Sequence, residues 1–291
     1  GGEEKVKVTE LALGLIDLIE DRDRRAAVVS HWLDQHALPS VEPGDPQFRL
    51  NLFFSCILQS GRKSPTHFVS LLARHRDEIK SLVNNPKAAT RVMQLCAEFH
   101  RDDEGRLVTV VGKLLNNAII HPTQAVEWAL GEGYRREGRR RWTFSYYEIL
   151  RHATQRTVQR RRMIASKDIG IDDNGKQRNG LLKFAERQQK QIILLAFKRF
   201  AEMLTELEGE GENVGGDDAE NHENVALARK EERRHVLGRM REYGRRFILL
   251  VKSYFSAIQD VVATNPTAAE EVARLGKLIS TSTVDDNVDP S

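Results

Sequence analysis

Between Leu107 and Ile119 the apolar residues Leu107, Val110, Val111, Leu114, Leu115, Ala118 and Ile119 recur at i, i+3, i+4 without a miss. A stripe of that period belongs to an α-helix with one face against other protein. It stops at His121-Pro122, where a proline can open the next helix, and Ala125, Val126, Trp128, Ala129 and Leu130 carry that helix to Gly131 and Gly133. The same punctuation recurs upstream. Ser64-Pro65 opens a segment with Phe68, Leu71, Leu72, His75, Ile79 and Leu82 facing inward, and Asn85-Pro86 opens one with Val92, Leu95, Cys96 and Phe99. Phe48 to Gln59 is strongly apolar, and Gly61 is placed to cap its C-terminus. Val8, Leu11, Leu15, Leu18 and Ile19 form a first stripe, and Val28, Val29, Trp32 and Leu33 a second, before the break at Pro39, Pro43, Gly44 and Pro46. No such pair can bury its apolar face alone, so the pattern predicts an all-α fold, a HEAT-like helical-repeat solenoid of antiparallel helix pairs, with irregular unit spacing. The composition agrees: 40% hydrophobic, 30% charged, 8 prolines and 7% aromatic among 291 residues.

The second half is built of longer patterns. Leu181, Phe184, Gln188, Ile192, Leu195, Arg199 and Met203 predict a long helix to about Leu207. Glu208 to Glu223 is glycine-rich and acidic, with no lysine or arginine between Arg199 and Arg229, and predicts a mobile loop; its functional alternative is a brake lying across basic residues. Val236, Met240, Tyr243, Phe247, Leu250, Tyr254, Ala257 and Val261 alternate steps of four and three, a heptad-like seam. Such a seam suits an antiparallel partner for the preceding long helix, with a dimer zipper as the alternative. Asn265-Pro266 caps a final helix to about Ile279. These readings give one helical-repeat domain over 3–280, loops near 167–180 and 208–224, and a disordered tail at 281–291. Gly1 and Gly2 read as a cloning scar on a piece of a longer protein.

Net charge is only +3, but it is unevenly spread. Between Tyr134 and Arg162 lie ten arginines against Glu137 and Glu148, while Trp142, Tyr146, Ile149, Leu150 and Ala153 form an apolar stripe through the same stretch. The segment therefore reads as a helix with a buried side and a basic side. Arg135, Arg136, Arg139, Arg140, Arg141, Arg156, Arg160, Arg161 and Arg162 are the candidate binding residues. One reading is a solvated face whose arginine stems cover apolar neighbours; the other is a docking surface for RNA phosphates or an acidic protein segment, which guanidinium forks suit equally.

Catalytic and metal chemistry finds no support in the spacing. The nine histidines make no His-Glu-x-x-His zinc site, and there is no Gly-rich phosphate loop or Gly-x-Ser-x-Gly elbow. His100-Arg101-Asp102 matches a kinase tripeptide, but Leu107 stands where asparagine is needed. Ile171 to Gly175 resembles part of a calcium loop, yet Gly170 and Leu181 occupy ligand positions. No cofactor or metal is implied. Cys56 and Cys96 sit inside apolar patterns, and the one Asn-x-Thr frame, Asn265-Pro266-Thr267, has the forbidden proline, so a cytosolic or nuclear setting fits. No apolar run reaches the roughly 18 residues a membrane span needs.

Ordered short matches across six helices carry a resemblance. Lys63-Ser64-Pro65-Thr66-His67-Phe68, Leu71 to His75, Arg91-Val92-Met93, His121-Pro122-Thr123-Gln124-Ala125-Val126-Glu127-Trp128-Ala129-Leu130, Phe144 to Thr157, and Gln188-Gln189-Lys190 running into Leu195 to Phe200 resemble the C-terminal helical domain of the large subunit of the nuclear cap-binding complex. The likeness covers roughly Phe48 to Leu207. It implies a HEAT-like domain of the initiation-factor middle-domain type. It also implies a non-catalytic scaffold that supports a small RRM subunit, docks RNA processing and export adaptors, and meets capped RNA indirectly, in the nucleus with shuttling to the cytoplasm. The alternative is a direct RNA-binding repeat module of a translation-initiation or mRNA-decay scaffold. Animal members of the family carry a longer charged insertion between the helices corresponding to Arg156 and Leu181; the short Asp-Asn-Gly loop here points to a fungal-type member.

Overall fold

A computed structural model describes residues 2–21, 26–35, 45–131, 144–166, 175–209 and 219–281. Fourteen helices and no strand occur among the described residues. The chain divides into two compact units, Gly1–Trp128 and Ala129–Ser291.

In the first unit α1 (Gly2–Glu20), α2 (Ala26–Gln35), α3 (Pro46–Gly61), α4 (Pro65–Arg74), α5 (Arg76–Leu82), α6 (Pro86–Phe99) and α7 (Glu104–Asn116) pack around α3. Its core holds Phe53, Phe54, Ile57, Leu71, Leu72, Val92, Met93 and Val111, all fully buried. α8 (Pro122–Leu130) carries the boundary between the units. The helix starts are those the sequence announces. Asp45 accepts from the amides of Gln47 and Phe48 at 3.1 and 3.2 Å, Ser64 from His67 at 3.1 Å, and Asn85 from Ala88 at 2.9 Å. At the start of α8, Gln124 reaches back to accept from the His121 amide at 2.8 Å, the return half of a capping box.

The residues behind the family resemblance act as structural joints. Lys63 pairs with Glu20 at 2.7 Å, Arg74 donates to the Ile19 carbonyl at 3.1 Å, and Arg91 donates to Asn51 at 2.7 Å. Arg106 donates to the carbonyl of Arg62, closing the C-terminus of α3, where unpaired carbonyls need donors. Gly61 differs from expectation: α3 runs through it, and its value is space. A Cβ there would sit 3.1 Å from Phe68 Cβ and 3.2 Å from Cγ, and closer still to the ring edge. α7 ends in a Schellman motif, with Ile119 N–H on Leu114 O at 3.0 Å and Ala118 N–H on Leu115 O at 3.1 Å. Ala118 occupies the left-handed position at φ 52° and is exposed, so it leaves the apolar stripe it was assigned to.

In the second unit α9 (Phe144–Ser166), α10 (Gly175–Gly209), α11 (Ala219–Arg246), α12 (Ile248–Ser253), α13 (Phe255–Val262) and α14 (Pro266–Thr281) pack with α10 at the hub. Ile192, Ile193, Phe197, Phe200, Tyr243, Ile258 and Val272 are fully buried. α10 begins at Gly175 and α11 at Ala219, both inside stretches expected as loops; 167–174, 210–218 and the tail 282–291 lie outside the described residues. The heptad-like seam holds through Val236, Met240, Tyr243 and Phe247 and then moves by one residue: Val251, Ile258 and Val262 are buried, while Leu250, Ala257 and Val261 are half-buried. The reason is two backbone breaks, at Phe247 (φ −110°, ψ 36°) and Tyr254 (φ −123°, ψ 22°), which re-aim each following helix.

Two glycines set how closely α14 approaches its neighbours. A Cβ on Gly244 would lie 3.2 Å from Leu275 Cδ2 and closer to Cδ1. One on Gly276 would lie 3.2 Å from two Phe255 ring carbons and closer to the third.

Candidate functional site

α9 turns one face into the core. Tyr146, Ile149, Leu150 and Ala153 are buried as the periodicity required, and Thr154 and Thr157 join them; Trp142 lies outside the described residues. The buried hydroxyls are satisfied locally. Thr157 donates to the Thr154 carbonyl at 2.8 Å, and Thr154 donates to Leu150 O at 3.0 Å and meets Tyr243 OH at 2.8 Å.

Among the described residues the basic side chains of α9 have different surroundings. Arg151 grips Glu148 with Nε 2.9 Å from Oε2, an intrahelical fork whose carboxylate raises the guanidinium pKa further. Arg156 is half-buried. Arg160 lies over the Phe184 ring at 5.6 Å, a cation–π contact, and Arg161 pairs with Glu186 at 3.0 Å. Both therefore face α10, and Arg162 is exposed. Of the three, Arg160 and Arg161 are thus drawn onto α10, while Arg162 extends to solvent. Arg135, Arg136, Arg139, Arg140 and Arg141 lie outside the described residues.

α10 supplies cations that density alone did not reveal. Lys183, Arg187 and Lys190 occupy i, i+4 and i+7 on the face opposite the buried Ala185, Gln189, Ile192 and Ile193, and all three are exposed. Beside them Phe184 is 48% exposed and Leu181 41%, and at the end of α9 Met163 is 45% exposed. The signal was present as spacing, three cations at helical intervals across from an apolar stripe. Together with Arg160 they give α9 and α10 a surface of positive charge next to exposed apolar and aromatic side chains, able to receive phosphates and one stacked ring.

Among the described residues no group of His, Cys, Asp and Glu could hold a metal ion, and no helix is long and apolar enough to cross a membrane. Cys56 and Cys96 are buried free thiols; burial pushes the Cys56 thiol up to about 12 and Cys96 higher. Neither is a nucleophile at neutral pH.

The profile of a family described as MIF4G-like matches residues 3–249. Among curated proteins, nuclear cap-binding protein subunit 1 of Oryza sativa subsp. japonica is 21% identical over 162 residues, which is 55% of this chain and 18% of that protein. The chain thus spans less than a fifth of the length of that relative.

Proposed function

The chain belongs to the MIF4G-like family, a non-catalytic helical-repeat family, and on that premise we propose that it is a scaffold domain of a nuclear cap-binding complex large subunit. In this reading it supports the small RRM subunit and docks RNA processing and export adaptors in the nucleus. The observation that carries the reading is the family match over residues 3–249 together with the distant likeness to a cap-binding protein subunit. Size-exclusion co-elution and calorimetry test it, using the small RRM subunit with this chain alone and with its natural N-terminal neighbour domains attached. Binding of about micromolar Kd or tighter (about −8 kcal/mol) is expected only for the extended chain. Failure of both forms to bind overturns the reading.

A second reading has its own observation, the exposed cations Arg160, Lys183, Arg187 and Lys190 beside exposed Phe184. It makes the chain a direct single-strand RNA binder. Log K should then fall against log salt with a slope of about −0.7 per neutralised phosphate, and Lys183→Glu with Arg187→Glu should flatten it. Arg139→Glu with Arg140→Glu checks the part of the arginine block outside the described residues. A flat slope in the parent chain refutes this reading.

A further inference from the structure

α11 and α14 leave an open groove of about 520 Å³ between them. Its lining is predominantly positive: Arg241 and Arg245, one turn apart on α11, face Arg274 and Lys277, one turn apart on α14, against a single lining acid, Glu271. That acid is fully engaged. Glu271 is 4% exposed, and its two oxygens take parallel bonds of 2.7 Å from Nε and Nη2 of Arg241, with Arg274 Nη1 3.6 Å away. The Arg241 guanidinium beside it holds its carboxyl below the usual range, with Arg274 and Arg245 adding to the effect. Arg274 also reaches Glu270 on the rim at 2.6 Å. Arg245 and Lys277 are exposed, and their side chains make no hydrogen bond or ion pair among the described residues. Leu278, 40% exposed, gives the groove an apolar edge.

We propose that this groove docks an acidic peptide segment of a partner protein, whose carboxylates pair with Arg245 and Lys277 while an apolar side chain covers Leu278. The buried Glu271 orients Arg241 and lends the groove a fixed shape, and the two unpartnered cations supply the attraction. Carboxylates suit this site better than a nucleic acid strand does. Single-strand binding draws on aromatic faces for its bases, and no aromatic ring lines the groove, whereas guanidinium and ammonium groups next to an apolar edge match an acidic segment with one hydrophobic anchor. The assignment goes beyond the scaffold reading and does not depend on which complex the chain joins.

Fluorescence anisotropy of the whole chain with a labelled Glu-Glu-Glu-Leu-Glu-Glu-Glu peptide tests it. The parent should bind and the all-Gln counterpart of the peptide should not. Arg245→Glu with Lys277→Glu should weaken binding about tenfold or more, about 1.4 kcal/mol, while Lys183→Glu with Arg187→Glu on α10 leaves it unchanged. If the reversal variant loses its circular-dichroism melt, Arg245→Gln with Lys277→Gln takes its place, with a loss of about threefold expected from removing charge alone. Unchanged binding in the groove variant overturns the proposal, as does equal loss in the α10 control. A labelled oligo-uridylate that binds as tightly and responds to the same groove variant would reassign the site to phosphates. Peptide binding that emerges only when the chain is ended at Thr281 would mean that the chain's own Asp285, Asp286 and Asp289 fill the groove, and would overturn a separate partner.

Discussion

Replacing Thr154 by valine should destabilise the second unit more than replacing Tyr243 by phenylalanine, although both remove one hydroxyl from the same contact. Thr154 has one hydroxyl hydrogen, and it points to Leu150 O at 3.0 Å. The 2.8 Å contact with Tyr243 must therefore be donated by the phenol. Tyr243 is fully buried among Phe197, Phe200 and Phe247, with ring centroids 5.9, 6.0 and 5.0 Å away, so no water can replace a lost acceptor. Thr154→Val is nearly isosteric but strands a buried O–H, at a cost of about 2 kcal/mol. Tyr243→Phe leaves Thr154 its donation to Leu150 and costs about 1 kcal/mol. With both hydroxyls gone nothing is stranded, and the double variant should cost about 1 kcal/mol, well short of additive. In urea unfolding followed by circular dichroism, a slope of about 2 kcal/mol/M turns these into midpoint shifts of about 1 M for Thr154→Val and about 0.5 M for Tyr243→Phe. Additive single-variant effects, or a Tyr243→Phe cost equal to that of Thr154→Val, would refute the assigned direction of the bond.

Four further outcomes follow from the same structure. Burial lowers the pKa of His75, His100 and His152, with Arg74, Arg106 and Arg151 adding to the effect; the unfolded chain protonates first near 6.5, so stability should hold above that pH and fall as pH drops below it. A second decline should begin below about 4.5, where Glu271 takes its proton in the unfolded chain while the folded carboxyl, held low chiefly by Arg241, keeps its charge; urea midpoints against pH should show a smaller step in Glu271→Gln, with Glu20, held low by Lys63, supplying the remainder. Ala118→Gly should stabilise by about 0.5 kcal/mol, because relief of a left-handed alanine at φ 52° outweighs the added freedom of the unfolded chain, and a lower thermal midpoint would contradict it. Cys56 and Cys96 should resist a thiol reagent at pH 8 until denaturant is added, and stoichiometric labelling of the folded chain would show that they are not closed off as described.

What the sequence made readable was local. Capping residues followed by proline at 64–65, 85–86 and 265–266 place helix starts where Ser64, Asn85 and Asn265 are found accepting amide bonds, because cap chemistry needs only four consecutive residues. Beyond Phe247 the buried seam departs from the hydrophobic spacing by one position, because a break in backbone angles leaves no trace in that spacing. Gly61 stands where a cap would, but its reason lies in Phe68, a contact between helices that punctuation cannot express. The arginine block was found by density, whereas a binding face depends on angle. Arg160 and Arg161 are turned to Phe184 and Glu186, and the cations left facing solvent on α10 are fewer and spaced by turns.

The tight seats of Leu275 against Gly244 and of Phe255 against Gly276 also bear on how such a chain can diverge. Either glycine could gain a side chain only after its large partner had shrunk, so the two positions of each pair should change together in descendants or not at all. A lineage that filled the Gly244 notch while keeping Leu275 would have to push α14 outward from α11, widening the gap between Arg245 and Lys277. Inherited packing would then have reset the spacing of two surface charges whose side chains belong to neither buried contact.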